Sequence, residues 1–323
     1  MSAEASVAVV VPSWNTLRFL PRCLASLSDQ GIELETMVVD NGSSDGSHEY
    51  LRREGVPHIA LPENVGFSAA VNLGVARTTA PTVLALNADT VLEPGCLSQL
   101  LATLTADSGL GGVQPRLLQL ESDEEGASIE TARLYSAGQA LTRDGRAVEL
   151  AAGERQRAEH LRRREIFGVC GAACLLRREL FSELGGYDES YFAFYEDVDL
   201  NVRARIAGWR FEYVPEAAVW HVGNASWSAG FVRPAADNAR LVARNRLVTQ
   251  VKFMPLSAVP RIAVAELGAL IRAVAEQRLR ATLAGKLEGL RRIKVTRVER
   301  RRLRQAGDPS RAREWLGIGL ESG

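Results

Sequence analysis

The first hundred residues alternate strand-like and helix-like segments, and this alternation restricts the possible folds more than any other feature of the chain. Residues 7–11 form an apolar, mostly β-branched run, which predicts a strand buried on both faces. Further strands are predicted at 36–39, 56–61 and 82–86, and apolar residues recur at helical spacing between them. Such repetition specifies a parallel sheet with helices on both faces, so we predict an α/β protein.

Polar side chains follow three of these predicted strands directly. In open α/β sheets, ligands bind at the carboxyl ends of the strands, so the three polar loops should face one crevice. Any single acidic residue at a strand end is also explained as a turn former or a helix cap, and that alternative stays open. The residues concerned are Ser13 and Asn15, Asp40 and Asn41, and Asn87 and Asp89.

Acidic residues at two places suit catalytic chemistry. The Asp89 carboxylate matches the preference of Mg²⁺ or Mn²⁺ for oxygen ligands, which these ions often share with substrate phosphates. Farther along, aromatic residues adjoin Glu196, Asp197 and Asp199. Apolar surroundings raise the pKa of a carboxylate toward the range useful to a general base. Acidic residues also favour a helix start through the helix dipole, so both interpretations stay open on the residues alone.

Histidine and cysteine give weaker signals. A lone histidine such as His221 is more often structural, and it becomes a candidate metal ligand only if Asp89 lies nearby in the fold. The cysteines are predicted to be buried free thiols in a reducing compartment, because no further ligands of the kind that zinc needs adjoin them. They are Cys23, Cys96, Cys170 and Cys174.

Taken together, these motifs resemble the family 2 glycosyltransferases of the GT-A fold, over roughly residues 7–227. The resemblance rests on the order of several stretches: 11–15, 38–46, 63–67 with Asn72, 86–90, 171–173, 185–188, 194–200 and 221–226. The Asn87-Ala88-Asp89 form looks most like bacterial rhamnosyltransferases and galactofuranosyltransferases. The resemblance implies a mostly parallel central sheet flanked by helices, with a C-terminal helical extension.

The resemblance also implies site residues. Asp89 would hold Mg²⁺ or Mn²⁺ on the diphosphate with His221 as second ligand, and Asp197 would be the general base, with Glu196 the alternative. Asn87 stands where the family carries the first carboxylate of Asp-x-Asp; it cannot supply charge and could bond a ribose hydroxyl instead. Asp40 would hydrogen-bond a pyrimidine base. The remaining nucleoside pocket would be lined by Pro12, Ser13, Asn15, Asn64 and Gly66.

The implied activity is inverting transfer of a sugar from a dTDP- or UDP-sugar, with rhamnose favoured by likeness, to a hydroxyl of a glycan or lipid-linked saccharide in cell-surface polysaccharide assembly. A nicotinamide-dependent dehydrogenase would need Gly-x-Gly-x-x-Gly after the first strand, where residues 12–16 contain no glycine. A nucleotidyltransferase would need a glycine-rich basic loop at the same place. A catalytically inactive glycan-binding or scaffold relative stays open, and Asn87 is its main argument.

For the domains, we predict a catalytic unit at 1–232, with a nucleotide-sugar half at 1–118 and an acceptor half at 165–232, and a basic helical extension at 233–323. Residues 121–164 are charged and weakly periodic, which predicts a variable excursion or mobile loop. Beyond it, an apolar strand is predicted over 167–176, and two short strands are predicted at 211–214 and 218–220.

In the extension, five apolar residues share one helical face ahead of a basic stretch: Ala263, Leu267, Leu270, Ile271 and Val274. This pattern fits either a packed helix with a solvated basic tail or a contact with an anionic membrane surface. No nucleic-acid partner is expected, since no recognition motif accompanies the charge. Without a visible signal peptide or an apolar run of about 20 residues, we expect a cytoplasmic protein, either free or peripheral at the inner face of the cell membrane.

Overall fold

The computed structural model describes residues 5–122, 128–223 and 235–318. Within these ranges a ten-stranded mixed sheet forms the centre of the protein, and a separate two-stranded hairpin lies beside it. The sheet strands are β1 (Val7–Ser13), β2 (Leu34–Asp40), β3 (His58–Ala60), β4 (Thr82–Leu86), β5 (Thr90–Leu92), β6 (Leu110–Ser122), β7 (Ser128–Ser136), β10 (Arg164–Ile166), β11 (Ala173–Arg177) and β12 (Arg210–His221). The hairpin is β8 (Gln139–Leu141) and β9 (Ala147–Glu149).

Helices cover both faces of the sheet and continue beyond it. Those of the sheet region are α1 (Leu20–Ala25), α2 (Ser47–Arg53), α3 (Phe67–Ala76), α4 (Cys96–Ala106), α5 (Arg178–Glu183) and α6 (Glu196–Ala207). The C-terminal helices are α7 (Ala235–Phe253), α8 (Val259–Ala275), α9 (Leu279–Arg291), α10 (Ile293–Ala306) and α11 (Pro309–Arg313).

The first half of the sheet is parallel, as predicted. Strands β3, β2, β1 and β4 lie side by side, and the register pairs Ser13 with Asp40 at the ends of β1 and β2. The valines of β1 are fully buried because successive side chains enter opposite cores: Val9 packs with α1 and α4, and Val10 packs with α3 and α5. This arrangement brings the loops after β1, β2 and β4 to one edge.

The second half of the sheet is mixed, because β11 runs antiparallel between β4 and β6. The prediction of a strand over 167–176 was wrong in its first part, since β11 begins at Ala173. The backbone N–H groups of Val169, Cys170 and Gly171 instead donate to side chains of remote residues, which replaces ladder pairing. The two short strands predicted around 211–214 and 218–220 are one strand, β12, with a register irregularity between them.

The prediction of a variable or mobile loop over 121–164 was wrong for most of its described residues. Strand β7 pairs with β6, the β8–β9 hairpin follows, and β10 joins the sheet edge beside β12. These strands depend on partners distant in sequence, so the weak local periodicity hid them. The one local signal is the Asp144-Gly145 dipeptide, which favours a hairpin turn.

The C-terminal helices are tied to the sheet region by a buried ionic cluster. Lys252 of α7 lies 2.7 Å from a carboxylate oxygen of Asp199 and 3.0 Å from one of Asp188. Arg203 lies 2.6 Å from the other oxygen of Asp199. Because removing one member would leave a buried charge unpaired, this cluster couples α7 to α6.

Candidate active site

A cleft of about 340 Å³ opens at the carboxyl ends of the parallel strands, which is within the range of small-molecule sites. Residues from both halves of the sheet line it. The predicted site residues in its lining are Pro12, Ser13, Asn64, Asn87, Asp89, Glu196, Asp197 and His221. The other three predicted residues, Asn15, Asp40 and Gly66, lie outside the lining.

Asp89 and His221 meet at the floor of this cleft although 132 positions separate them in sequence. Strand β5 pairs antiparallel with the end of β12, which sets Thr90 opposite His221 and places Asp89 beside it. Asp89 Oδ1 lies 3.2 Å from His221 Nε2, and Asn87 Nδ2 lies 3.3 Å from the same nitrogen. Tyr135 contacts the imidazole edge-on, with ring centroids 4.3 Å apart.

The donor atoms of this pair fit a divalent cation. A carboxylate oxygen and an imidazole nitrogen at this separation can share one ion, and carboxylates suit Mg²⁺ and Mn²⁺. Two protein ligands leave most coordination positions for substrate phosphate oxygens and water, which is common for such ions. Both side chains are buried, so a bound cation would be shielded from bulk solvent.

Asp197 lies at the start of α6 and is held by three donors. Its carboxylate accepts hydrogen bonds from the backbone of Gly171 at 3.0 Å, the backbone of Val198 at 2.7 Å and Gln139 Nε2 at 3.1 Å. Burial raises the pKa of this carboxyl, while the three donors act in the opposite direction. The net shift of the pKa is upward, toward the range useful to a general base, while the three hydrogen bonds stabilise the ionised form.

Glu196 differs from its neighbour. Burial, followed by the nearby Asp197 charge, raises the pKa of Glu196 well above its ordinary value. Its Oε2 has no hydrogen-bond partner among the described residues. Of the two candidate bases, the geometry therefore favours Asp197 as the ionised group and Glu196 as the protonated one.

Comparison with known proteins identifies the family of this chain. The model of a protein family described as Glycosyl transferase family 2 matches residues 8–185, more than half of the chain. The chain belongs to glycosyl transferase family 2. The predicted resemblance is thereby confirmed, including its likeness to rhamnosyltransferases.

Two family 2 relatives that resemble this chain carry names for the transfer of different sugars. An N-acetylglucosaminyl-diphospho-decaprenol L-rhamnosyltransferase of Mycobacterium tuberculosis is 30% identical over 236 residues, covering 66% of this chain and 75% of that protein. An N-acetylglucosaminyltransferase of Mesorhizobium japonicum is 31% identical over 227 residues, covering 66% of this chain and 50% of that protein.

Solved structures show that this family 2 chain has the predicted GT-A fold. The crystal structure of GalNAc-T7 with UDP, GalNAc and Mn²⁺ matches with a TM-score of 0.60 at 15% identity, over 78% of this chain and 49% of that one. The mannosyltransferase PcManGT of Pyrobaculum calidifontis, in complex with GDP-Man and Mn²⁺, matches with a TM-score of 0.52 at 15% identity, over 90% of this chain and 88% of that one.

Several of the residues predicted for the nucleoside pocket hold together the loops at the strand ends. Asn15 Oδ1 accepts from the Ser44 backbone at 2.8 Å, which joins the loops after β1 and β2. Asn64 Oδ1 accepts from Asn41 Nδ2 at 3.0 Å and from the Gly66 backbone at 2.9 Å.

Two further predicted residues lie just behind the lining. Gly66 has a φ of +94°, and a Cβ there would lie 2.5 Å from the Phe192 carbonyl oxygen, so no larger residue fits without a shift. Asp40 ends β2 and is 2% exposed, and its Oδ1 has no hydrogen-bond partner among the described residues. An unsatisfied buried carboxylate oxygen calls for an explanation, and a ligand donor would supply one.

Sequence reasoning missed Gln139 and Glu149 of the β8–β9 hairpin, which also line the cleft. Gln139 Nε2 donates both to Asp197 and to Glu149 Oε1, at 3.1 Å each. Burial, with a smaller contribution from the Asp197 charge, raises the pKa of Glu149 to about 7. No motif marks either residue, because both lie in the weakly periodic stretch.

Glu149, Cys170 and Asp197 form a second group whose possible ligand atoms lie within 4.8 Å of one another. Burial raises the pKa of the Cys170 thiol well above its ordinary value, so the thiol stays protonated. The carboxylate oxygens already accept the hydrogen bonds described above. A protonated thiol is a poor ligand for Mg²⁺ or Mn²⁺, so this group suits proton chemistry better than metal binding.

The residues just before Glu196 have an unusual backbone. Phe192, Phe194 and Tyr195 have φ values of +67°, +68° and +67°, a region that bulky side chains rarely adopt. Each such residue costs on the order of 1–3 kcal/mol, and these conformations cluster at functional sites. All three residues line the cleft.

All four cysteines are buried free thiols, as predicted. In the described ranges, no helix is both long and apolar enough to cross a bilayer.

Proposed function

We propose that this family 2 protein is an inverting glycosyltransferase that moves a sugar from a dTDP- or UDP-sugar to an acceptor hydroxyl. One observation carries the proposal: a buried carboxylate–imidazole pair, Asp89 and His221, and a donor-held carboxylate, Asp197, line the same cleft of about 340 Å³. The Asp89–His221 pair is suited to bind a diphosphate together with its cation, and the Asp197 carboxylate is suited to accept the proton of a hydroxyl group.

The donor nucleoside would bind over the ends of β1 and β2. Asp40 Oδ1, which accepts no hydrogen bond within the described part of the chain, suits an N–H of a pyrimidine base, and Pro12 with Ser13 would contact the nucleoside. Asn15 and Asn64 would act mainly by shaping these loops, through the backbone hydrogen bonds that they accept. Asn87, beside His221, is free of charge and suits a ribose hydroxyl.

Asp89 and His221 would hold a Mg²⁺ or Mn²⁺ ion, which when bound neutralises charge on the departing diphosphate. Two solved relatives of the same fold contain Mn²⁺ together with a nucleotide or nucleotide sugar, which supports this part of the proposal. Asn87 in place of a carboxylate leaves Asp89 as the anionic side chain of the Asn-x-Asp motif.

Asp197 would act as the general base. As the acceptor oxygen forms its bond to the anomeric carbon, the bond from that carbon to the diphosphate oxygen breaks, and its electron pair leaves with the nucleoside diphosphate. The acceptor proton passes to Asp197, and the anomeric configuration inverts. The three donors to Asp197 orient its carboxylate before the acceptor arrives.

For the sugar and acceptor, we favour rhamnose and a lipid-linked saccharide in cell-surface polysaccharide assembly. The support is the Mycobacterium relative, whose name specifies an L-rhamnosyl transfer to N-acetylglucosaminyl-diphospho-decaprenol. Thermal stabilisation by a panel of nucleotide sugars, with Mn²⁺ or Mg²⁺, tests the donor. Transfer from the stabilising donor to a polyprenyl-diphosphate saccharide would support the proposal. Binding without transfer to any acceptor would favour the alternative, an inactive glycan-binding relative.

The C-terminal helices would bring the protein to the membrane that holds such an acceptor. Leu267, Ile271 and Val274 of the predicted apolar face on α8 are between 59% and 64% exposed, and Val264 of the same helix is 73% exposed. Leu283, Leu287 and Leu290 of α9 are also about half exposed. A packed helix would bury these groups. Exposed basic residues adjoin them, including Arg261, Arg272, Arg280, Arg291, Lys294 and Arg297, which suits an anionic bilayer surface.

Co-sedimentation with vesicles tests this docking surface. We expect binding to vesicles rich in phosphatidylglycerol, with a marked loss in the double variant Leu267→Glu and Ile271→Glu. Leu161→Glu changes an exposed apolar residue outside the C-terminal helices and should bind as the unaltered protein does. Equal binding by all three proteins, or none at low salt, would remove the membrane part of the proposal. Such a result would leave the transfer chemistry standing.

A further inference from the structure

The strained loop before Glu196 is held by side chains of the C-terminal helices. Phe192 has φ +67° and ψ −63°, and the Ala193 backbone N–H donates to the Tyr191 carbonyl oxygen at 2.8 Å. This is a γ-turn of the rare, strained hand. Such a turn persists only where surrounding contacts impose it.

Asn245 of α7 supplies most of those contacts. Its Nδ2 lies 2.9 Å, 2.8 Å and 2.7 Å from the carbonyl oxygens of Tyr191, Ala193 and Phe194. The side chain is 1% exposed, and its Oδ1 accepts from Arg244 Nε at 2.8 Å, which orients the amide nitrogen toward the loop. The two N–H groups of one buried amide are therefore shared among three carbonyl oxygens of one strained turn.

The opposite side of the loop rests on the nucleotide half of the protein. The Phe192 carbonyl oxygen accepts from the Ser68 backbone at 3.2 Å, near the start of α3. Beyond the loop, Tyr195 caps α6, and its carbonyl oxygen accepts from the Asp199 backbone at 2.9 Å. The loop conformation consequently sets where α6 begins and where Glu196 and Asp197 point.

We propose that Asn245 is a positioning residue for sugar transfer: through the loop backbone it aims Phe192 and Phe194 into the cleft and sets the direction of Asp197. The inference rests on the proposed role of Asp197 as base. The family match ends at residue 185, so both the loop and Asn245 lie outside the part of the chain that it covers. On this account the active site is incomplete without α7.

The variant Asn245→Leu tests the proposal, because leucine has a similar size and no donor. We expect kcat per folded molecule to fall about 10-fold to 100-fold, since small misplacements of catalytic groups have effects of this size. Binding of the nucleoside diphosphate should change less than about twofold, because its pocket is built by other loops. If the leucine variant does not fold, Asn245→Ser gives the same test, with a smaller fall expected since one donor remains.

Thr249→Val is the matched control. Thr249 lies one turn along α7, and its hydroxyl bonds the Tyr191 hydroxyl at 3.0 Å instead of the loop backbone. We expect this variant to lose stability but to keep kcat within about twofold. If Asn245→Leu behaves in the same way, with only a loss of stability, the positioning role is overturned.

Hydrogen exchange provides a readout that does not depend on activity. Backbone amides of residues 191–198 should exchange faster in Asn245→Leu than in Thr249→Val. Unchanged exchange in both would also overturn the inference. If the unaltered protein transfers no sugar, the proposed function fails on its own, while the exchange comparison still reports whether Asn245 holds the loop.

Discussion

The proposed donor side and the proposed acceptor side of the cleft are built in different ways. On the donor side, short loops at neighbouring strand ends bond one another, as Asn15 bonds Ser44 and Asn41 bonds Asn64. On the acceptor side, Asp197 is held by Gln139, which is 58 residues away, and the loop before it by Asn245. The nucleoside loops of the donor side thus follow from local strand-and-loop patterns, whereas the acceptor side depends on contacts between distant segments.

The largest expected effect lies on the acceptor side. Asp197→Asn should lower kcat by about 10²-fold to 10⁴-fold, the usual contribution of a general base. Nucleotide-sugar affinity, measured by calorimetry, should stay within a few-fold, because the three groups that hold Asp197 belong to Gln139, Gly171 and Val198 and not to the proposed donor loops. Glu196→Gln should retain more activity, since burial raises the pKa of Glu196 well above its ordinary value and glutamine resembles the protonated carboxyl. A fully active Asp197→Asn enzyme would exclude Asp197 as the base. It would also contradict the assignment of proton transfer to the acceptor side of the cleft.

The next effect belongs to the donor side. Asp89→Ala should weaken nucleotide-sugar binding by about 10-fold to 100-fold and remove its dependence on divalent ions, because His221 alone is a poor site for Mg²⁺ or Mn²⁺. Asp107→Ala is the control, since that exposed carboxylate precedes β6 at the opposite edge of the sheet. If a chelator does not change the affinity of the unaltered enzyme for the nucleotide sugar, the metal role of Asp89 is contradicted.

The smallest expected effect is a change with pH in the stability of the protein, and it tests whether Glu149 on the acceptor side is buried in its protonated form. Burial raises the pKa of Glu149 from 4.5 to about 7, so between these values the folded protein keeps a proton that the unfolded chain has lost. Raising the pH through this window therefore lowers the free energy of unfolding of the unaltered protein. The Glu149→Gln variant has no titrating carboxyl at this position, so its free energy of unfolding should not fall for this reason.

Urea unfolding at several pH values measures this difference. The stability of Glu149→Gln relative to the unaltered protein should rise between about pH 4.5 and pH 7, by on the order of 2 kcal/mol, and then stay level. A relative stability that does not vary with pH would show that Glu149 titrates as an ordinary exposed carboxyl.

The same contrast explains what the sequence could predict. The parallel strands and the polar loops after β1, β2 and β4 followed from apolar runs and strand-end residues, because these features are encoded locally. Gln139, Glu149 and Asn245 could not be found this way, since each acts through a partner far along the chain. The strand predicted from residue 167 failed for a related reason: remote side chains take the backbone donors of 169–171.

The central claim is that Asp89 and His221 hold the catalytic cation in the cleft that Asp197 faces. Anomalous X-ray diffraction from crystals grown with Mn²⁺ and a nucleoside diphosphate tests it most directly. The account predicts a Mn²⁺ peak within about 2.3 Å of both Asp89 and His221, bridging them to the diphosphate. A peak at Glu149, Cys170 and Asp197 instead, or none near Asp89, would contradict the account.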